Sequence, residues 1–412
     1  LAMFENLKNL INKKHHGKKA SHDMTPSKSE SSASVSDGSY TPNGPPKDSE
    51  TYASDNRTAS TMCIPSPASS RNSLMHLCDS PVSTESSHRL FAENELNQKY
   101  PDLDSRYQLM EKIGDGAFSK VYKALDTATN TVIAVKIIDK SSTSTTQLNN
   151  VLKEISIMRT LDHPNIIKLL AFKNTTLNCF LFLELVDGGE IFNQIIKLTY
   201  FSEDLARHVI VQVARAVKYL HEEIGVVHRD IKPENLLFTE IPFVANPAGR
   251  VVRASDDDSK LDEGKFCPGI GGGSIGIVKL ADFGLSKVLW DRKTQTPCGT
   301  AGYTAPEIMN DLNYDKAVDV WSLGCVLYTL LCGFPPFYDT DQQKLANKIV
   351  AGDYCFLSPW WDEISKEAKD LVTHLLTLDP VERYTVDELL CHPWVLQNNK
   401  ATEPALDAPQ YS

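Results

Sequence analysis

A charged stretch, "VVHRDIKPENLLF" at residues 226–238, places six polar or charged side chains between two apolar runs. A buried strand disfavours this pattern, because an unpaired buried charge is costly. The side chains must therefore face a cleft or pair with one another, and the rest of the sequence indicates which.

Length and charge limit the classes of protein to consider. The 412 residues, 41% of them hydrophobic, can form one large domain or two small ones with true cores. The formal net charge is −11, and residues 1–100 are balanced, with eleven Lys and Arg and eleven Asp and Glu. The folded part is therefore acidic, which disfavours nucleic acid as a partner and favours basic proteins.

The nine cysteines are scattered and never spaced CxxC, which argues against a disulfide framework or a zinc site. No apolar run approaches the roughly 18 residues of a membrane span. The opening "MFENLKNLI" lacks the apolar centre of a signal peptide. These features predict a cytoplasmic protein, with the nucleus as the alternative, and no transmembrane segment.

The composition changes along the chain. Residues 1–106 are predicted to be a disordered regulatory tail, because Ser, Thr, Pro, Asn and Asp dominate and large apolar residues are few. Residues 107–187 alternate β-rich runs with turns, and residues 188–395 contain long helical patterns. We expect a small β-rich lobe, a larger helical lobe and a short C-terminal tail at 396–412.

Residues 239–276 interrupt the helical lobe. The segment is charged, rich in glycine and poor in periodicity, so the sequence predicts a flexible insertion. Its "GIGGGSIG" also matches the composition of a phosphate-binding loop, but no strand-to-helix context supports that alternative.

Two groups of residues are suited to phosphate chemistry. Gly114 and Gly116 fall in a turn between predicted strands, where backbone N–H groups can approach phosphate oxygens. Lys136 ends a strand and Glu154 lies in the next helix, so the two can pair and fix an ammonium group against a nucleotide.

Phosphoryl transfer requires positioned charge and metal rather than covalent help from the protein. A carboxylate that orients the incoming hydroxyl and two oxygen ligands for magnesium would suffice. Asp230, Asn235 and Asp282 supply these groups, and Lys232 can reach the moving phosphate. The charged stretch is thus predicted to face a cleft that holds nucleotide and metal.

The sequence resembles the protein kinase family over residues 107–395. The matching elements occur in order: "GDGAFSKV", "IAVK", "HRDIKPEN", "DFG", "APE" and "DVWSLG". One departure is Ser119, which stands where a third glycine is common. The resemblance implies an α+β, bilobal protein kinase fold and the cofactors ATP and Mg²⁺.

The resemblance also implies a role for each matching residue. Asp230 would be the catalytic base, supported by Lys232, while Asn235 and Asp282 would bind magnesium. Glu307 and Arg383 match the buried ion pair of kinases. The residues expected to contact or position ATP are Ile113, Gly114, Gly116, Val121, Ala134, Lys136, Glu154, Glu184, Val186, Leu237 and Asp282.

The motif "DIKPEN" resembles the serine/threonine branch of kinases. Glu190 and Glu234 match positions where basophilic kinases hold an arginine three residues before the target, a preference written as arginine at −3. The resemblance therefore implies basic Ser/Thr-containing protein substrates. The alternative is that both acids are ordinary solvated surface groups.

The resemblance also bears on regulation, through Arg229 and through the activation segment "DFGLSKVLWDRKTQTPCGTAGYTAPE" at residues 282–307. Arg229 precedes the catalytic aspartate, a feature of kinases that need a phosphate on the activation segment. Thr296 is followed by Pro297, as a MAP kinase requires, whereas Thr300 resembles the threonine that contacts the catalytic loop. The insertion and the runs "TPCGTAGYTAPE", "GCVLYTLLCGFPPFYD" and "FLSPWWDEIS" resemble a fungal subgroup of calmodulin-kinase-like enzymes. This resemblance implies an upstream MAP kinase in stress signalling and phosphorylation at Thr296.

Two alternatives remain open. Calmodulin regulation is less favoured, because no basic amphipathic helix follows "HPWV" at residues 392–395. A pseudokinase scaffold would keep the fold for docking alone, but the residues needed for catalysis are all present.

Overall fold

The computed structural model describes residues 96, 98–116, 119–247, 249–250, 252–256, 260–284, 286–288, 301–310 and 315–397. Most of the predicted N-terminal tail and the predicted C-terminal tail beyond residue 397 lie outside this part of the chain. The described residues form a small β-rich lobe followed by a larger helical lobe. This architecture confirms the α+β bilobal fold that the sequence predicts.

The small lobe is built on one antiparallel sheet with the strand order β1-β2-β3-β5-β4. Alternating apolar residues in β3 explain its two faces: Val135 and Ile137 pack with Phe180 and Phe182 on one side, while Lys136 points to the other. The strands are β1 (Tyr107–Asp115), β2 (Ser119–Asp126), β3 (Thr131–Asp139), β4 (Leu169–Asn174) and β5 (Asn178–Glu184).

Helix α1 (Thr145–Met158) covers the second face of this sheet. Its first turn is fixed by a capping box, in which the Ser144 side chain accepts from the backbone N–H of Gln147 and the Gln147 side chain accepts in return. Ile155 packs against β3 and β5, and Glu154 is buried one residue before it. The cap and the apolar face together set the direction in which Glu154 points.

The packed domain starts earlier than the predicted boundary at residue 107. Tyr100 is only 8% exposed and belongs to the core of the small lobe, where its ring meets Tyr122 and Phe180 edge-on. Asp102 accepts hydrogen bonds from Thr175 and Asn178 in the β4–β5 turn. The sequence did not predict this docking, because the segment that contains Tyr100 and Asp102 is short, polar and without periodicity. Its partners also lie far along the chain.

The helical lobe is organised around one helix, α5, that is buried along almost its whole length. Its helices are α2 (Ile191–Leu198), α3 (Glu203–Tyr219), α4 (Pro306–Met309), α5 (Ala317–Cys332), α6 (Gln342–Ala351), α7 (Lys366–Leu375), α8 (Val386–Cys391) and α9 (Pro393–Leu396). None of the described helices is long and apolar enough to cross a bilayer.

The helical lobe also contains two short strand pairs. Strand β6 (Val226–Val227) pairs with β9 (Lys287–Val288), and β7 (Leu236–Glu240) pairs with β8 (Ile275–Leu280). The charged stretch therefore runs from β6 to β7. We call its residues 228–235 the charged loop.

The predicted insertion, residues 239–276, connects β7 to β8. We expected a flexible segment, but its described residues make specific buried contacts with the helical lobe. Lys260 donates to the carbonyl oxygens of Leu198 and Tyr200, and Glu263 accepts from the backbone and hydroxyl of Ser202. Periodicity could not predict this packing, because individual side chains hold the segment rather than a helix or strand face.

Candidate active site

Lys136, Glu154 and Asp282 form one electrostatic cluster. The ammonium nitrogen of Lys136 lies 3.5 Å from a Glu154 oxygen and 3.9 Å from an Asp282 oxygen. Burial by itself lowers the pKa of Lys136, but the two carboxylates outweigh it and raise the pKa. Lys136 is therefore held as a charged group by Glu154 of the small lobe and by Asp282.

The strand register explains how the sheet faces this cluster. Val121 in β2 is opposite both Gly114 in β1 and Lys136 in β3. Because directly opposite residues in antiparallel strands share a face, these three positions lie on one side of the sheet. Ala134 is two residues before Lys136 and shares that face. A cluster predicted from motifs is thus assembled by the register of three strands.

Gly116 lies in the β1–β2 turn, whereas Gly114, which we predicted in the same turn, lies in strand β1. The Gly116 N–H donates to the Ser119 carbonyl over 2.8 Å, and a Cβ at Gly116 would lie 2.9 Å from the Ser119 hydroxyl oxygen. A Cβ at Gly114 would also approach the Val121 side chain at 3.2 Å. A side chain would therefore crowd Ser119 at position 116 and Val121 at position 114, so both positions favour glycine.

Asp230, Lys232 and Asn235 contact one another in the charged loop. The Lys232 ammonium donates to Asp230 Oδ2 over 2.8 Å, and Asn235 Nδ2 donates to the same oxygen over 2.9 Å. Asn235 Nδ2 also donates to the Asp230 carbonyl over 2.8 Å. Since the amide nitrogen of Asn235 binds Asp230, its Oδ1 is the atom that could bind a cation.

The residues on either side of Asp282 contact the charged loop, one by a backbone hydrogen bond and the other by a ring contact. The N–H of Ala281, the preceding residue, donates to the Asn235 carbonyl over 2.9 Å. The next residue, Phe283, meets the buried His228 ring edge-on with centroids 4.9 Å apart. Burial acts to raise the pKa of Asp282, but the nearby Lys136 and other donors lower it. Asp282 is therefore an ionised carboxylate that faces both parts of the site.

Asp319 holds the charged loop in place. It has no exposed surface, and its two oxygens accept from the backbone N–H groups of His228 and Arg229 over 2.8 and 2.7 Å. His221 Nε2 lies 2.8 Å from Asp319 Oδ2. Burial acts to raise the pKa of Asp319, but His221, His228 and the Arg229 N–H outweigh it and lower the pKa. Arg229 is held at φ 69°, an unusual conformation for a residue other than glycine.

The remaining candidates for ATP contacts lie in β1, in β7 and at the end of β5 with the segment that follows it. Ile113 in β1 is 45% exposed, so its side chain is accessible to a ligand. Glu184 ends β5, and Val186 follows it in the segment that joins the lobes. Leu237 lies in β7 and forms a bridge with Glu190. The side chain of Glu184 accepts from the Lys279 ammonium over 2.9 Å, and its backbone N–H donates to the Lys168 carbonyl over 3.0 Å.

The two predicted substrate acids lie close enough to interact. Burial, and then the charge of Glu234, raise the pKa of Glu190. Glu234 Oε2 is buried and has no hydrogen-bond partner among the described residues. We call Glu190 and Glu234 the acid pair. A guanidinium group placed between them would relieve both the repulsion and the missing hydrogen bond.

Thr296 and Thr300 lie outside the described residues, so their predicted roles remain predictions. The predicted ion pair of Glu307 and Arg383 is present, with two N–O contacts of 2.6 and 3.0 Å between buried side chains.

These elements match a known family along most of the chain: the model of the protein kinase domain matches residues 107–395. The chain belongs to the protein kinase family. The match covers both lobes, and the kinase domain therefore includes the Lys136 cluster, the charged loop and the acid pair.

Several curated kinases are similar in sequence. Serine/threonine-protein kinase srk1 of Schizosaccharomyces pombe is 55% identical over 333 residues, which cover 78% of this chain and 57% of the relative. Calcium/calmodulin-dependent protein kinase type II of the same yeast is 54% identical over 304 residues, covering 74% and 60%. RCK2 of Saccharomyces cerevisiae is 48% identical over 317 residues, covering 70% and 52%. The chain thus spans little more than half the length of these relatives, and it falls in the calmodulin-kinase-like group close to fungal kinases.

Sequence reasoning missed the residues that support the site. Asp319 lies in the motif "DVWSLG", which gives no role to its carboxylate, and the sequence predicts no role for His221, His228 or Phe283. A buried acid in an otherwise apolar helix was the available signal, because such a carboxylate needs donors to replace water.

We predict that Asp319→Ala lowers the free energy of unfolding of the kinase by about 3–5 kcal/mol, because it leaves buried donors without an acceptor. Urea denaturation followed by tryptophan fluorescence measures the change. Asp353→Ala is the matched control, since Asp353 is exposed and its side chain has no role in the site. Equal stability of the two variants would contradict the role assigned to Asp319.

Proposed function

We propose that this chain is a serine/threonine protein kinase that transfers the γ-phosphate of ATP to protein hydroxyl groups. The observation that carries the proposal is the position of Asp282, which lies 3.9 Å from the Lys136 ammonium. Its neighbours Ala281 and Phe283 contact Asn235 and His228 of the charged loop. Carboxylates, an amide and a fixed ammonium in this arrangement suit phosphoryl transfer. The family membership and the similar serine/threonine kinases support the same reaction.

The residues present fit a magnesium–nucleotide complex. Magnesium prefers oxygen ligands, and the ionised Asp282 and the Oδ1 atom of Asn235 offer them. ATP and Mg²⁺ would supply the phosphoryl group and neutralise its charge. Lys136, fixed by Glu154, would hold the α- and β-phosphates.

Asp230 would orient the substrate hydroxyl and accept its proton. Its Oδ2 atom already accepts two hydrogen bonds, from Lys232 and Asn235, which fix the carboxylate in one orientation. Lys232 would in addition offset charge on the transferred phosphoryl group. The apolar face around Val121 and Ala134, with Leu237 on the other side, would enclose the adenine.

The acid pair supports a preference for arginine at −3. Glu190 and Glu234 are near enough for the charge of Glu234 to raise the pKa of Glu190, and the buried Glu234 Oε2 has no hydrogen-bond partner within the described part of the chain. A guanidinium group can pair with carboxylates of this kind. The substrates would then be basic proteins, in keeping with the negative charge of the chain.

A pseudokinase scaffold is less well supported. A scaffold does not require Lys136 paired with Glu154 or Asp230 held by two donors, and both arrangements are present. Calmodulin regulation is the alternative, and the similarity to a calcium/calmodulin-dependent protein kinase of Schizosaccharomyces pombe motivates it.

Asp230→Asn tests the reaction and the role of this carboxylate together. We expect magnesium-dependent phosphate transfer to an Arg-x-x-Ser peptide to fall roughly 100-fold or more, because the substituted amide accepts no proton. Transfer is measured with labelled ATP, and nucleotide binding by the variant serves as the folding check. Asp353→Asn, at an exposed position, is the control. Unchanged transfer by Asp230→Asn would refute the assignment.

The acid pair gives the preference a characteristic pH dependence. Because the pKa of Glu190 is raised, this carboxylate takes up its proton at a higher pH than an ordinary glutamate. As pH falls from neutral, kcat/KM for a peptide with arginine at −3 should therefore fall earlier than kcat/KM for the same peptide with alanine at −3. Glu190→Gln should lower the ratio of the two values by about tenfold and remove this pH dependence. A ratio that stays constant with pH in the unaltered enzyme would argue against the acid pair.

We also propose that phosphorylation of Thr296 by an upstream MAP kinase activates the enzyme in stress signalling. The Thr296-Pro297 sequence motivates the proposal, as does Arg229, a cation beside Asp230 that an added phosphate could neutralise. Signalling of this kind would place the enzyme in the cytoplasm or the nucleus.

The regulatory prediction is that Thr296→Ala abolishes activation by a MAP kinase. Activity towards the Arg-x-x-Ser peptide is measured before and after incubation with an active MAP kinase and ATP. Thr25→Ala removes a different Thr-Pro site and should leave activation unchanged. If Thr296→Ala is activated as strongly as the unaltered enzyme, the proposed switch is wrong.

A further inference from the structure

The insertion, residues 239–276, binds residues 198–202, which we call the corner between α2 and α3. Helix α2 ends at Leu198, and the next residue, Thr199, has a φ of 69°, which is costly for a β-branched residue. The carbonyl groups on either side of Thr199 belong to Leu198 and Tyr200, and both accept from the Lys260 ammonium. Lys260 therefore stabilises the backbone on both sides of a strained residue.

Lys260 is committed to this contact. Its side chain is 7% exposed, and its nitrogen lies 4.1 Å from the centroid of the Tyr200 ring. Burial lowers the pKa of Lys260 to about 8, although Glu263 and Asp256 oppose the shift. An ammonium group leaves water to this extent only where protein acceptors replace it, so the contact is a built part of the fold.

Two further charged residues of the insertion fix the same corner. Arg253 donates to the Leu331 carbonyl at the end of α5 over 2.7 Å and to the Phe201 carbonyl over 3.1 Å. Glu263 accepts from the Ser202 N–H over 2.7 Å, and Ser202 is the N-cap of α3. The corner is thus tied to two helices by residues of the insertion.

A glycine of the insertion reaches α2 itself. Gln194, a buried residue of α2, donates from Nε2 to the Gly273 carbonyl over 3.2 Å. Gly273 has a φ of 56°, and a Cβ there would lie 3.0 Å from the side chains of both Leu198 and Leu205. Only glycine allows the backbone to approach this closely.

Helix α2 depends on such contacts for its position. It spans Ile191–Leu198, and a helix of two turns has little stability of its own. Its first end is fixed by backbone hydrogen bonds of 2.9 Å from Gly188 to Phe238 and 3.1 Å from Phe238 to Gly189. Its other end is fixed by the insertion. Glu190, one member of the acid pair, is the N-cap of this helix.

We infer that the insertion positions α2 and thereby sets how the acid pair receives the substrate arginine, with Lys260 and Gln194 as positioning residues. The inference rests on the proposed preference for arginine at −3. It assigns the insertion a role in substrate selection, although the contacts described above are with α2, α3, α5 and the corner between α2 and α3 rather than with the charged loop.

The test compares two peptides that differ only at −3, arginine or alanine. The ratio of their kcat/KM values is the readout, because loss of folded enzyme lowers both values equally and leaves the ratio unchanged. Lys260→Met should lower the ratio by about three- to tenfold, the size expected when an ionic contact is slightly misplaced. Its kcat/KM for the alanine peptide should stay within about twofold of the unaltered enzyme.

Three further variants sharpen the comparison. Lys260→Arg keeps donors for both carbonyls and should restore the ratio. Lys265→Met is the matched control, since it removes an exposed lysine of the same insertion. Gln194→Leu removes only the bond to Gly273 and should lower the ratio in the same direction, so it serves if Lys260→Met does not fold.

The outcomes separate the two proposals. If the unaltered enzyme shows no preference for arginine at −3, the acid pair itself is wrong and the inference falls with it. If the unaltered enzyme shows the preference but folded Lys260→Met and Gln194→Leu retain it in full, the acid pair stands and the inference about the insertion is overturned. An equal loss for both peptides also overturns it, because that loss would reflect stability alone.

Discussion

The site depends on one buried carboxylate that accepts backbone hydrogen bonds. Asp319 binds the N–H groups of His228 and Arg229, so the backbone just before Asp230 cannot rotate freely. An acid without exposed surface is tolerable only because every contact replaces water with a donor. The orientation of Asp230 towards Lys232 follows from this fixed backbone. A helix of the large lobe thereby determines the geometry of a loop distant from it in sequence.

The same helix, α5, connects the charged loop to the insertion. Asp319 lies in its first turn, and the Leu331 carbonyl in its last turn accepts from Arg253. The body of the helix is apolar and buried, and bidentate contacts between Glu307 and Arg383 brace its N-terminal end, where Arg383 also binds the Ala317 carbonyl. Polar residues at the two ends thus define where the helix sits, while its apolar length supplies the core.

The sequence predicted what depends on short-range pattern. The pairing of Lys136 with Glu154 could be predicted, since a lysine in a strand and a glutamate in the next helix stand in an order that allows them to pair. The docking of Tyr100 and the packing of Lys260 could not, because each depends on a partner far along the chain and leaves no periodic trace. The glycine-rich composition of the insertion predicted flexibility, but at Gly273 the missing side chain permits close packing instead.

The docking of Tyr100 has a practical consequence for preparing the enzyme. The family match begins at residue 107, and a fragment cut there would lack a ring that belongs to the small-lobe core. Tyr122 and Phe180 would then present aromatic surface to water, and Asn178 would lose the carboxylate of Asp102. Such an uncovered aromatic patch favours self-association of the purified fragment, so expression boundaries should be chosen upstream of residue 96.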